Sequence, residues 1–149
     1  MKILLVEDDE NKLKNLQVFL NSIVELKPLE LDLKKSYQSG LNAVLSNNYD
    51  LVLLDMSMHN FDKSISETGG DHMHFAGEDI LREMSWNDIS TKTIVVTQYD
   101  LIGNKSLTEL KESWAVNFSE NYVDTVFYRD NETNWKTELE ALIKLHTTK

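Results

Sequence analysis

The chain contains no cysteine among its 149 residues, which excludes disulfides, zinc–thiolate sites and thiol nucleophiles together. Long apolar runs are missing as well. The N-terminus reads Met-Lys-Ile-Leu-Leu-Val and then turns acidic. That stretch is shorter than the ~7–15 residues of a signal-peptide core, and no run approaches the ~20 residues of a membrane span. Positive charge is scarce: 15 Lys and Arg stand against 25 Asp and Glu, for a formal charge of −10 and a pI near 4.8. Neither nucleic acid nor anionic lipid attracts such a polyanion, whereas a divalent cation or a basic protein partner would. No internal repeat, low-complexity segment or linker interrupts the chain. It is long enough to bury one core without staples, so the expectation is one cytoplasmic domain over residues 1–149.

Apolar runs alternate with helical patterns along the whole length. Lys2–Val6, Leu51–Leu54 and Thr93–Val96 are short continuous apolar runs, as buried strands require. Leu29–Lys35 alternates Leu with charge, the period of a strand with one wet face, and Val123–Tyr128 is the last strand candidate. Helical stripes fall between them: Leu13, Leu16, Phe19 (or Leu20) and Ile23; Leu41, Val44 and Leu45; Gly77–Met84; Leu107, Leu110 and Trp114 within Lys105 to about Phe118; and Trp135–Leu145. Five β–α repeats predict an α/β fold. A doubly wound parallel sheet in the order 2-1-3-4-5, flavodoxin-like, would carry helices on both faces. Residues 59–76 keep neither period and read as an inserted loop, and loops of that length in compact domains are mostly functional or disordered.

Two of the apolar runs end on acids. Lys2–Val6 runs into Glu7, Asp8 and Asp9, and Leu51–Leu54 into Asp55. An ionised acid leaving water costs on the order of several kcal/mol unless it is paired or coordinated. In the order above the first and third strands are neighbours, and ligands of such sheets gather beyond the strands' carboxyl ends. The acids would then share one pocket, where clustered carboxylates need protons or a cation. Hard oxygen donors favour Mg²⁺. Thr97 ends the neighbouring run and adds a hydroxyl. A metal, a carboxylate nucleophile and a hydroxyl donor are what it takes to form and hold an acyl phosphate. Asp71, His72 and His74 could chelate a transition metal, although alternate residues on a loop more often face solvent.

Lys2–Asp9, Tyr49–Met58, Gly77–Met84 and Thr93–Thr97, in that order, resemble the receiver domain of two-component response regulators over essentially the whole chain. The resemblance implies that Asp55 accepts a phosphoryl group from a phosphohistidine on a sensor histidine kinase or a histidine phosphotransfer protein. It implies that Asp8 binds Mg²⁺ directly and Glu7 through water, with the main-chain carbonyl of Ser57 as a further ligand. Thr97 would contact the phosphoryl group and move with it. Phe127 or Tyr128 would couple that movement to the face made by the fourth helix, fifth strand and fifth helix, where partners read the phosphorylated state. Such a protein is a signalling switch rather than an enzyme, and its output is altered protein–protein affinity.

The chain departs from the family pattern in three places. His59 stands where the family usually has proline, and about a dozen extra residues precede Gly77. The lysine usually found at the end of the fifth strand, followed by proline, is missing from Val126–Asp130, where Arg129 is the expected replacement because it keeps a positive charge. A planar guanidinium does not reproduce a compact ammonium in a tight pocket. These departures sustain an alternative, a pseudo-receiver that binds proteins without phosphorylation. A phosphatase of the Asp-x-Asp type is disfavoured by Ser57 in place of the second acid. A flavin phosphate would be repelled by Glu7–Glu10.

Overall fold

The computed structural model describes residues 1–63 and 69–147. Five parallel strands form the sheet: β1 (Lys2–Val6), β2 (Glu30–Lys34), β3 (Leu51–Leu54), β4 (Thr93–Thr97) and β5 (Tyr122–Phe127). Their spatial order is β2-β1-β3-β4-β5, the doubly wound arrangement expected from the alternation of apolar runs and helical stripes. The helices are α1 (Glu10–Ser22), α2 (Tyr37–Ser46), α3 (Ala76–Trp86), α4 (Leu107–Asn117) and α5 (Asn134–Thr147).

Strand alternation divides the core in two. Leu4, Val6, Val52, Leu54 and Val95 pack with Val44 of α2, Ile80, Leu81 and Met84 of α3, and Leu110 and Trp114 of α4. Ile3, Leu5, Leu51, Leu53, Ile94 and Val96 face the other way, onto Leu13, Leu16 and Leu20 of α1 and Trp135, Leu139 and Ile143 of α5. The central strands are buried on both faces, which is why they read as unbroken apolar runs. β2 lies at the sheet edge and is only partly covered, hence its alternating sequence.

Register places the acids. Val6 pairs with Leu54, so Glu7 and Asp55 leave adjacent strands at the same level. Asp9 caps α1, its Oδ1 accepting from the backbone N–H groups of Asn11 (3.0 Å) and Lys12 (3.2 Å). This cap satisfies two of the donors that the first helical turn leaves open. At the other side of the site, Gly77 lets α3 start against the end of β3. A Cβ there would overlap the Asp55 carbonyl oxygen and lie 2.6 Å from Met56 Cε.

Two short hairpins modify the expected pattern. Met58–His59 pairs antiparallel with His72–Met73, so the flanks of the 59–76 insertion fold back on themselves, while residues 64–68 lie outside the described residues. Gly69 and Gly70 take positive φ in the returning arm. The second hairpin, Leu101–Ile102 with Lys105–Ser106, turns on Gly103 at φ +63°. It occupies the segment expected to open the fourth helix at Lys105. The helix instead starts at Leu107, because Ser106 caps it by accepting from Glu109 N–H.

Candidate functional site

The carboxyl ends of β1, β3 and β4 open into a cleft of about 690 Å³ lined by Glu7, Asp8, Asp9, Asp55, Ser57, His72 and Gln98, among others. Carboxylate oxygens of Glu7, Asp8 and Asp55 come within 4.8 Å of one another. Glu7 and Asp55 are almost wholly buried, at 1% and 3% exposure, while Asp8 is half-buried and reaches toward solvent. Asp55 Oδ1 accepts from the Met56 N–H at 2.7 Å, leaving Oδ2 turned to the cluster.

A buried lysine lies among these acids. Lys12, 1% exposed, extends from the first turn of α1 and places Nζ 2.5 Å from Glu7 Oε1 and 3.4 Å from Asp55 Oδ2. It donates to the Val96 carbonyl oxygen at 2.7 Å, so one ammonium joins the ends of β1, β3 and β4. Burial opposes its charge, but Asp55 and Glu7 together outweigh that and hold its pKa above the ordinary lysine value. Glu7 moves in the same direction. Burial, then repulsion from Asp55, push its carboxyl up to about 8 despite Lys12.

Lys12 did not stand out in the sequence, although a signal was there. Residues 12, 16 and 20 share one helical face, and the buried residues of α1 are Lys12, Leu13, Leu16 and Leu20. A cation at that spacing on an apolar stripe needs a buried anion, and the strand immediately before it ends in three. The structure does not bring Arg129 to the cleft. Its guanidinium lies 4.6 Å from the centroid of the Phe127 ring, in a separate surface pocket with Asp100 and Lys111.

Thr97 is fully buried at the end of β4, its Oγ1 accepting from Tyr99 N–H at 3.3 Å. It pairs with Phe127 across the sheet. Tyr128, 1% exposed, points into the α1–α5 core instead of the α4 side. Its ring packs 4.9 Å from Trp135, its hydroxyl accepts from Asn15 at 2.8 Å, and Lys12 Nζ stands 5.6 Å above the ring. Ser57 Oγ is 2.5 Å from His72 Nε2.

Strand order, the placement of the acids beyond β1 and β3, and the hydroxyl at the end of β4 together decide the architecture. The chain has the fold of a receiver domain. It is 29% identical over 147 residues to the Detocs response regulatory protein DtcB of Enterobacter cloacae, covering 93% of this chain and 95% of that one. The fold matches the receiver domain of a Pseudomonas aeruginosa sensor histidine kinase that has a magnesium ion in its active-site cleft. There the TM-score is 0.65, with 17% identity and 99% and 98% of the two chains covered. It also matches the Thermotoga maritima response regulator TrrA in complex with Mg²⁺-BeF, with TM-score 0.57, 22% identity and coverage of 95% and 97%. No family model matches the chain. Among the described residues, no helix is long and apolar enough to cross a membrane.

Proposed function

We propose that this receiver is a phosphorylation-controlled signalling switch whose phosphoacceptor is Asp55. The observation that carries the reading is the cluster itself: a buried Asp55 beside two further carboxylates and an ammonium, all at the mouth of one cleft. A module that only bound proteins would gain nothing from holding repelling acids together, which runs against the pseudo-receiver.

The donor set fits Mg²⁺. Three carboxylates and one ammonium carry a net charge of −2 when all are ionised, which a divalent ion balances, and hard oxygens suit it. Asp8, Asp55 and the Ser57 carbonyl would hold the ion, with Glu7 behind them. When bound, it supplies charge neutralisation to the phosphoryl oxygens. Asp55 presents its anionic oxygen to the phosphorus of a phosphohistidine, on a sensor histidine kinase or a histidine phosphotransfer protein. The imidazole leaves with the electron pair of the broken P–N bond. Lys12 takes the part that the family gives to a lysine on the last strand. Its ammonium stands beside the acceptor oxygen, and a compact point charge on a flexible stem can follow the phosphoryl group where a planar guanidinium cannot. Thr97, in register with Phe127, links the occupied site to the α4–β5 surface, and a partner that prefers one arrangement shifts the population.

The test is phosphorylation by a small donor. Wild-type protein incubated with Mg²⁺ and acetyl phosphate should gain one phosphoryl group by intact mass, and Asp55→Ala should gain none. An unmodified wild type, or a variant that is modified equally, would sink the reading.

A further inference from the structure

The two features that the phosphoacceptor reading leaves unused meet at one place. His59 occupies the position after β3 where proline is usual in the family, and the insertion that follows returns antiparallel so that His59 pairs with His72. Their rings lie 5.0 Å apart, centroid to centroid, and the His74 ring lies 5.3 Å from that of His72. Asp8 faces the same point. Its Oδ2 is 3.0 Å from His59 Nδ1 and accepts the His59 backbone N–H at 3.1 Å. One ligand atom each from Asp8, His59 and His72 lies within 4.8 Å of the other two.

We propose that Asp8, His59 and His72 form a binding site for a borderline divalent transition ion of the Zn²⁺ or Co²⁺ class, separate in chemistry from the Mg²⁺ site but sharing Asp8 with it. Two imidazoles and a carboxylate select such ions over Mg²⁺, which takes oxygen ligands. Bonds of about 2.0–2.1 Å to nitrogen and oxygen put neighbouring ligand atoms roughly 3–3.5 Å apart. The Asp8–His59 pair already meets that spacing, and a His72 ring nitrogen lies within 4.8 Å of both. Ser57 Oγ on His72 Nε2 and the backbone pairing of the hairpin hold the rings before any ion arrives, which reduces the ordering cost of binding. The exposed side of His72 leaves a path from solvent. Because one carboxylate serves both ions, a transition ion here withdraws Asp8 from Glu7 and Asp55, and the two metals antagonise each other.

The probe is Co²⁺, whose visible bands report nitrogen-containing coordination, titrated into tag-free protein. Wild type should develop ligand-field bands saturating at one equivalent. His59→Ala/His72→Ala should lose them while keeping its far-UV circular dichroism, and Asp55→Ala should retain them. Millimolar Mg²⁺ should raise the Co²⁺ half-saturation point of wild type severalfold. Equal bands in wild type and the double-histidine variant would overturn the site, as would no bands in either. Indifference to Mg²⁺ would overturn the sharing of Asp8. The site does not depend on phosphorylation: a protein that is phosphorylated normally yet gives no bands keeps the phosphoacceptor reading and loses this one.

Discussion

Replacing Lys12 by methionine separates a cationic role from a packing role, because the stem is retained and only the charge is lost. At 3.4 Å from Asp55 and an effective dielectric of about 20, the attraction is ~5 kcal/mol, and Glu7, its carboxyl pushed up to about 8, adds to it only when ionised. Much of that offsets the cost of taking the charges out of water. The observable cost is that of orphaning the buried Asp55 carboxylate, ~3–5 kcal/mol. That is a large part of a domain's ~5–15 kcal/mol, so urea unfolding of Lys12→Met should show a sharply lower midpoint. Protonation of Glu7 relieves part of the loss, so the deficit should be smaller at pH 5 than at pH 8. Saturating Mg²⁺ should restore part of it as well, by supplying the missing positive charge. With Mg²⁺ present to keep the variant folded, acetyl phosphate labelling should fall at least tenfold, and beryllofluoride should no longer shift the Thr97 amide in NMR. Lys12→Met that labels at the wild-type rate would refute the role given to this ammonium. So would loss of labelling in Arg129→Ala with Lys12→Met unaffected.

Arg129→Ala should itself label within about twofold of wild type, and its stability should change by no more than the ~0.5–1 kcal/mol of an exposed cation–π contact. Gly77→Ala should be costly for its size, by ~1–3 kcal/mol or more, since the new methyl meets the Asp55 carbonyl and Met56; reduced Mg²⁺ affinity by calorimetry would accompany the lowered unfolding midpoint. The Glu7 carboxyl lies at about 8 in the folded protein against an ordinary 4.5, so folding favours its protonated form. Its stabilising contribution is complete below about pH 4.5 and is lost as pH rises through about 8, a swing of a few kcal/mol. Without Mg²⁺, Glu7→Gln should flatten that part of the pH–stability curve. Equal slopes for variant and wild type would show that Glu7 is not the titrating group.

The fold was legible because each buried strand is an unbroken apolar run of β-branched and leucine residues, and each helix carries a stripe at its own period. Helix boundaries were less so. The fourth helix was expected from Lys105, but a hairpin of two-residue strands has too few residues to show a period, and only Gly103 marked its turn.

Acids at the ends of two apolar runs and a hydroxyl at the end of a third are legible in the residues alone. That follows from local rules, since a strand's end and its register are set by the residues within it and beside it. Tertiary structure alone decided which cation meets those acids. Lys12 and Asp55 are 43 positions apart in the chain, and only the packing of α1 across the sheet aims the lysine at the ends of β1, β3 and β4. The same holds for the imidazoles. His59 and His72 become neighbours through antiparallel pairing, a long-range event that the pattern of residues 59–76 did not foretell. The charge a buried site requires could be read from the residues; which side chain supplies it depended on how the layers stack.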